Sequence, residues 1–234
     1  MIPLRDDAAS RRVTAVNTAL ILANVAVFAY EISLGHAAGG FIDRYAMVPA
    51  RVAHLLDASH SAAYAVSRPA PALATLVTSM FLHGGILHIL GNMLYLFIFG
   101  AAVEESMGHG RFLGFYLASG IAAAIAMVAM MPGSSVPVIG ASGAIAGVLG
   151  AYFVLFPRAR ILTVLPMKVV EAPAVVYLLG WFALQLYWGL HEGGGSSLAG
   201  GVAWWAHVGG FLFGMALGPM LAGEKRPARR RTRR

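Results

Sequence analysis

Three clusters of polar residues interrupt an otherwise apolar chain, and their types and spacing suit acid–base and nucleophilic chemistry. The segment HGGILHILGNMLYLFIFG carries His83, His88 and Asn92. His88 and Asn92 are four residues apart, so on a helix they share one face, about 6 Å apart along its axis. The segment IGASGAIAGVLGAY places Gly140, Ser142 and Gly143 where a helix begins. A serine in the first helical turn sees unpaired backbone N–H groups and the positive end of the helix dipole, which favours an oxyanion beside the hydroxyl. Helix capping alone also accounts for a serine there. The segment AHVGGFLFGMALG sets His207 above Gly210, Gly214 and Gly218 on one helical stripe. Imidazole is the side chain whose ordinary pKa suits a general base near neutrality.

A serine therefore heads one glycine-faced helix, with Gly143, Gly147 and Gly150 along it, and a histidine heads another. Glycine faces let two helix axes approach closely, so a contact between Ser142 Oγ and a nitrogen of His207 is expected. No acidic residue falls within the later apolar segments at the same depth. Glu31 is only a remote candidate for a third member, and a Ser–His dyad is the economical arrangement. His88 and Asn92 offer side-chain N–H donors to a developing oxyanion, and the Ser142 amide offers another. Each such donor is worth on the order of 3 kcal/mol in a transition state. A metal centre is the alternative use of the histidines, but no carboxylate or thiol lies in register with them, and no metal or cofactor is expected. Polar packing between helices is the structural alternative.

The elements that position these groups follow from composition. Of 234 residues, 59% are apolar and only 12% are charged, against about 25% charged in soluble domains. Too few polar side chains remain to coat a water-facing globule, which excludes one or two soluble domains and makes the chain an integral membrane protein. Cysteine is absent, which removes disulfides, thiolate metal sites and a cysteine nucleophile. A helix needs about 20 apolar residues to cross the hydrocarbon. Six segments qualify, at about 13–34, 86–103, 112–131, 138–156, 172–190 and 202–221. Their apolar runs are continuous and lack the period of two of a membrane β-barrel. The expected fold is an all-α membrane protein, a six-helix bundle. A head of residues 1–12 precedes it and a basic tail of residues 222–234 follows. No internal repeat is present, which weighs against transporters built from repeated halves. The first external loop, roughly 35–85, is long enough to be functional or to carry short helices of its own.

In the first span Asn17, Asn24 and Glu31 recur every seven residues and read as polar glue between helices. Arg11 and Arg12 before it give a faint likeness to a signal peptide, but the apolar run is too long. With the first residues cytoplasmic, 14 of the 17 Lys and Arg lie inside, leaving Arg44, Arg51 and Arg68 outside, as the positive-inside rule requires. Both ends are then cytoplasmic. The tail RPARRRTRR resembles a nucleic-acid patch in isolation. Beside a span it is a topology determinant that touches anionic lipid, and no nucleic acid is expected as a partner. The fifth span carries Tyr177, Trp181, Phe182, Tyr187 and Trp188, suiting either a movable gate or an interfacial aromatic belt.

The spacing from His83 through His88 to Asn92, the block GASGAIAGVLGAY and the block AHVGGFLFG together resemble the rhomboid family of intramembrane serine proteases. The likeness covers roughly residues 75–218 and is weaker around FIDRYAMVPARV. It implies a six-helix fold around a water-filled cavity open to the outer side of a bacterial cytoplasmic membrane. It also implies Ser142 as nucleophile, His207 as general base, and His88 and Asn92 with the Ser142 amide as the oxyanion hole. His83, Gly140 and Gly143 would line the site, while Gly147, Gly210 and Gly214 pack the helices. The implied substrates are membrane-anchored proteins cut in or near a transmembrane segment, preferably at small residues in a locally unstable helix. Two features depart from the family. Ala146 stands where an aromatic residue often stacks on the histidine, leaving Tyr152 or water to hold His207, and no Trp-Arg pair occurs in the first loop. The rival readings are a catalytically silent rhomboid-like protein that binds or escorts membrane clients, and a transporter.

Overall fold

In lipid every backbone N–H and C=O must be paired within the chain, and a continuous apolar run meets that demand by becoming a helix. The structure, a computed structural model, describes residues 2–8, 14–56, 72–165, 168–191 and 202–223. Its helices are α1 (Ala15–Ser33), α2 (Ala38–Tyr45), α3 (Pro49–Leu56), α4 (Ile86–Met107), α5 (His109–Met130), α6 (Ser142–Leu155), α7 (Ala174–His191) and α8 (Trp204–Leu221). Short helical turns at Thr75–Thr78 and Ser79–Phe81 lead towards α4. Each expected span contains one of these helices, with ends displaced by a few residues. Four of them, α1, α4, α5 and α7, are long and apolar enough to cross a membrane by length and composition. α6 is shorter, at 14 residues. It sits among other helices, with every residue from Ala144 to Tyr152 buried. The segment before it, expected to begin the span at 138, is instead extended: Val138 pairs with Met47 through a backbone bridge.

α6 and α8 meet along the glycine stripes. A Cβ at Gly210 or Gly214 would collide with the carbonyls of Gly143 or Gly147, and one at Gly150 with the carbonyl of Phe211. These close approaches require glycine, and they set the distance between the two helices.

The opposite end of the bundle contains β-structure, which an all-α fold does not include. Strands β1 (Ile2–Asp6), β2 (Arg160–Leu165) and β3 (Lys168–Pro173) form an antiparallel sheet in the order β1-β2-β3. Ile161, Thr163 and Val164 on β2, with Val169 and Val170 on β3, supply the β-branched side chains that suit a pleated surface. The sheet is anchored to α6 where the Tyr152 hydroxyl donates to Asp6 Oδ2 at 2.6 Å.

Of the three α1 residues expected as polar glue, Asn17 and Glu31 bond to other segments and Asn24 Nδ2 bonds within α1. Asn17 Nδ2 donates to the carbonyl of Leu96 at 3.1 Å, which opens a π-helical stretch, Leu96–Gly100, inside α4. Such stretches leave carbonyls to be satisfied from outside the helix. Asn24 Nδ2 donates to Leu20 O. Glu31 Oε2 accepts the His83 backbone N–H at 3.2 Å. α1 has no side-chain cap of its own. The buried Glu104 carboxylate supplies one, accepting the N–H groups of Val16 (3.0 Å) and Asn17 (2.7 Å) while pairing with His109. Within the long connection of residues 35–85, α2, α3 and the later turns supply the expected short helices. Val13, Arg11, Arg12, Arg68 and the basic tail beyond residue 223 lie outside the described residues, as do the expectations that rest on them.

Candidate active site

Ser142 is the first residue of α6, directly after a turn made by Gly140 at φ +119°, a conformation that favours glycine. The Gly140 N–H donates to the carbonyl of Ser79 at 2.9 Å, fixing where the helix starts. His207 lies in the first turn of α8, its side chain buried. With the glycine seam holding the helices together, Ser142 Oγ and His207 Nε2 are 2.7 Å apart. The expected contact is present, at hydrogen-bond length.

The other ring nitrogen is also engaged. His207 Nδ1 lies 2.7 Å from Gln185 Oε1 on α7. An amide oxygen only accepts, so Nδ1 carries the proton and Nε2 is the bare nitrogen facing Ser142. The Trp181 ring, one turn before Gln185, lies 5.9 Å from the imidazole at 36°, and Trp204 meets it edge-on at 6.4 Å. Trp181 thus supplies from α7 the aromatic neighbour missing at Ala146. Tyr152, expected as one possible support for His207, is bound to Asp6 instead. It lies ten residues after Ser142, about 15 Å along the same helix, too far to reach the imidazole. Glu31 contacts His83 rather than His207.

Beside Ser142, His88 and Asn92 both face Gly140. A Cβ there would lie 2.7 Å from His88 Nε2 and 3.5 Å from Asn92 Nδ2. Only glycine leaves this space open, two residues from the serine. His83 packs at the mouth of α4, its ring 5.1 Å from that of His88. Burial, aided by the neighbouring His88, pushes the pKa of His83 down to about 4, so it is neutral at pH 7. Its Nδ1–H donates to the carbonyl of Phe81 at 3.3 Å, and its Nε2 accepts from Asn92 Nδ2 at 3.0 Å. His83 therefore holds the Asn92 amide in place, and the second amide hydrogen stays free for another acceptor. Gly143 lies beside Ser142, packed against Ala123 and Ala206. Ser142, His207, His88, Asn92, His83 and Gly140 are thus gathered at one end of the bundle.

The sequence reading missed Gln185. An amide in an apolar helix is costly and tends to be used, but its position 22 residues before His207 has no spacing that points to the pairing.

An integral membrane protein, mostly helical, with a serine and a histidine paired at a helix–helix seam, is the class these features define. The Rhomboid domain family model matches residues 70–224, and the chain belongs to the rhomboid family. It is similar to the rhomboid protease GluP of Bacillus subtilis, with 37% identity over 150 residues, 63% of this chain and 27% of that protein. It is also similar to RHOMBOID-like protein 6, mitochondrial, of Arabidopsis thaliana, with 34% identity over 62% of this chain and 43% of that protein. A third relative is Rhomboid protein 1, mitochondrial, of Saccharomyces cerevisiae, with 31% identity over 62% of this chain and 40% of that protein. The matched region spans less than half the length of each of these relatives.

Proposed function

We propose that this protein is an intramembrane serine protease that hydrolyses peptide bonds in or near transmembrane segments of membrane proteins. The observation that carries the reading is the 2.7 Å contact between Ser142 Oγ and His207 Nε2, with Nδ1 already committed to Gln185. Ser142 Oγ attacks the scissile carbonyl as its proton passes to His207 Nε2. His88, Asn92 and the Ser142 amide stabilise the oxyanion. The tetrahedral intermediate collapses as the C–N bond breaks and His207 protonates the leaving amine. Water then resolves the acyl-enzyme by the same steps in reverse roles. The apolar helices form a six-span bundle with both ends cytoplasmic, in a bacterial inner membrane, with the basic tail on anionic lipid.

The test uses purified protein reconstituted with a panel of single-span membrane proteins, with cuts mapped by mass spectrometry. Cleavage in or beside the span, reduced about 10^4-fold or more by Ser142→Ala, supports the proposal. Equal cleavage by Ser142→Ala overturns it. Binding of the panel without cleavage supports an escort instead.

A further inference from the structure

Gln185 is a buried amide on a largely apolar helix, and none of the chemical steps above uses it. The geometry points to Gln185 as a positioning residue that fixes the tautomer and ring orientation of His207, in the place a carboxylate occupies in a three-membered Ser–His–acid arrangement. This inference rests on the Ser142–His207 reading proposed above.

Three observations carry it. The 2.7 Å contact joins His207 Nδ1 to an atom that only accepts, so the bare lone pair is held on the nitrogen that faces Ser142. Both side chains are buried, so water competes poorly for the bond. Trp181, four residues earlier on the same helix, covers the ring and restricts its rotation. When Nε2 takes the serine proton, Nδ1–H stays with Gln185 Oε1, and the amide stabilises the imidazolium without itself changing protonation. A neutral acceptor does this less strongly than a carboxylate would.

Among the described residues, the groups facing His207 from neighbouring elements are few. His88 on α4 is the titratable one, near enough to act on its charge. Ser142 on α6 and Gln185 and Trp181 on α7 are uncharged. α5 presents Ala122 and Ala126 at Gly209, two residues further along α8. Replacing Gln185 by Glu therefore introduces a new charge against the imidazole with His88 as its only titratable competitor among these groups.

The experiment measures covalent labelling of the full chain in detergent micelles by a fluorophosphonate probe, as a function of pH. Wild type, Gln185→Leu, Gln185→Glu and Ser142→Ala are compared, with unfolding temperature recorded for each. Gln185→Leu is expected to slow labelling about 10–100-fold and to move the acid limb of the rate profile to lower pH. Gln185→Glu, nearly isosteric and still an acceptor, is expected to retain labelling within about tenfold and to move that limb to higher pH by about one unit or more. A residue that only packs leaves the acid limb of Gln185→Leu where wild type has it, and if that variant fails to fold, Gln185→Met, of similar length and without the acceptor oxygen, is read in its place. Wild-type profiles in the Gln185 variants, with Ser142→Ala unlabelled, overturn this inference and leave the protease reading standing. An unlabelled wild type, or a labelled Ser142→Ala, overturns both.

Discussion

Gly214→Ala tests whether the seam between α6 and α8 sets the reaction geometry. A Cβ on Gly214 would meet the carbonyl oxygen of Gly147, and would lie 2.6 Å from its carbonyl carbon and 2.7 Å from its Cα. All three are backbone atoms, which cannot rotate away. An ordinary carbon–carbon contact is about 3.5–4.0 Å, so α8 must withdraw by about 1 Å. Gly214 lies two turns from His207, about 10 Å along a rigid helix, and the imidazole moves with it. The 2.7 Å contact to Ser142 then stretches beyond hydrogen-bond length. Overpacking of this kind costs about 1–3 kcal/mol, and a misplacement of about 1 Å at the reacting atoms costs about 10²-fold in rate. Initial cleavage rates and thermal unfolding in micelles read the two effects. Gly114→Ala on α5 is the control, because its Cβ meets nothing within 4 Å. There the substitution is expected to add about 0.5–1 kcal/mol through helix propensity alone. Wild-type rate and unfolding temperature in Gly214→Ala, or equal damage in Gly114→Ala, would refute the account of the seam.

Asn92→Ala is expected to lower kcat about 10²–10³-fold with KM little changed, measured on a cleaved single-span substrate. Wild-type kcat removes Asn92 from oxyanion stabilisation. Glu104→Ala strips the acceptor from the Val16 and Asn17 N–H groups, at a cost of about 1–3 kcal/mol. A lowered unfolding temperature with kcat preserved in the folded protein is expected, and an unchanged unfolding temperature refutes the capping role.

The parts of the site legible in the sequence are those that contrast with an apolar background. Ser142, His207, His88 and Asn92 stand out because lipid-exposed helices rarely tolerate such groups. Helical spacing then ties Gly143 and Gly147 to one stripe and Gly210 and Gly214 to another. The supports are hidden because they depend on contacts between distant segments. Gln185 reaches His207 from another helix, and Glu104 reaches the start of α1 across 88 residues. Neither leaves a periodic trace. The small sheet is not legible because its strands are five or six residues each and sit in segments whose charges mark them as loops. Tyr152 suits His207 by residue type, but the rise of α6 carries it to the opposite end, where its hydroxyl donates to Asp6.

The most direct test of the central claim is a double-mutant cycle on Ser142 and His207, read as cleavage of one reconstituted single-span substrate. If the pair acts as one unit, Ser142→Ala and His207→Ala each lower kcat about 10^4-fold or more, and the double variant loses no more than the worse single. Substantial cleavage by either single variant, or losses that multiply in the double, would contradict the account.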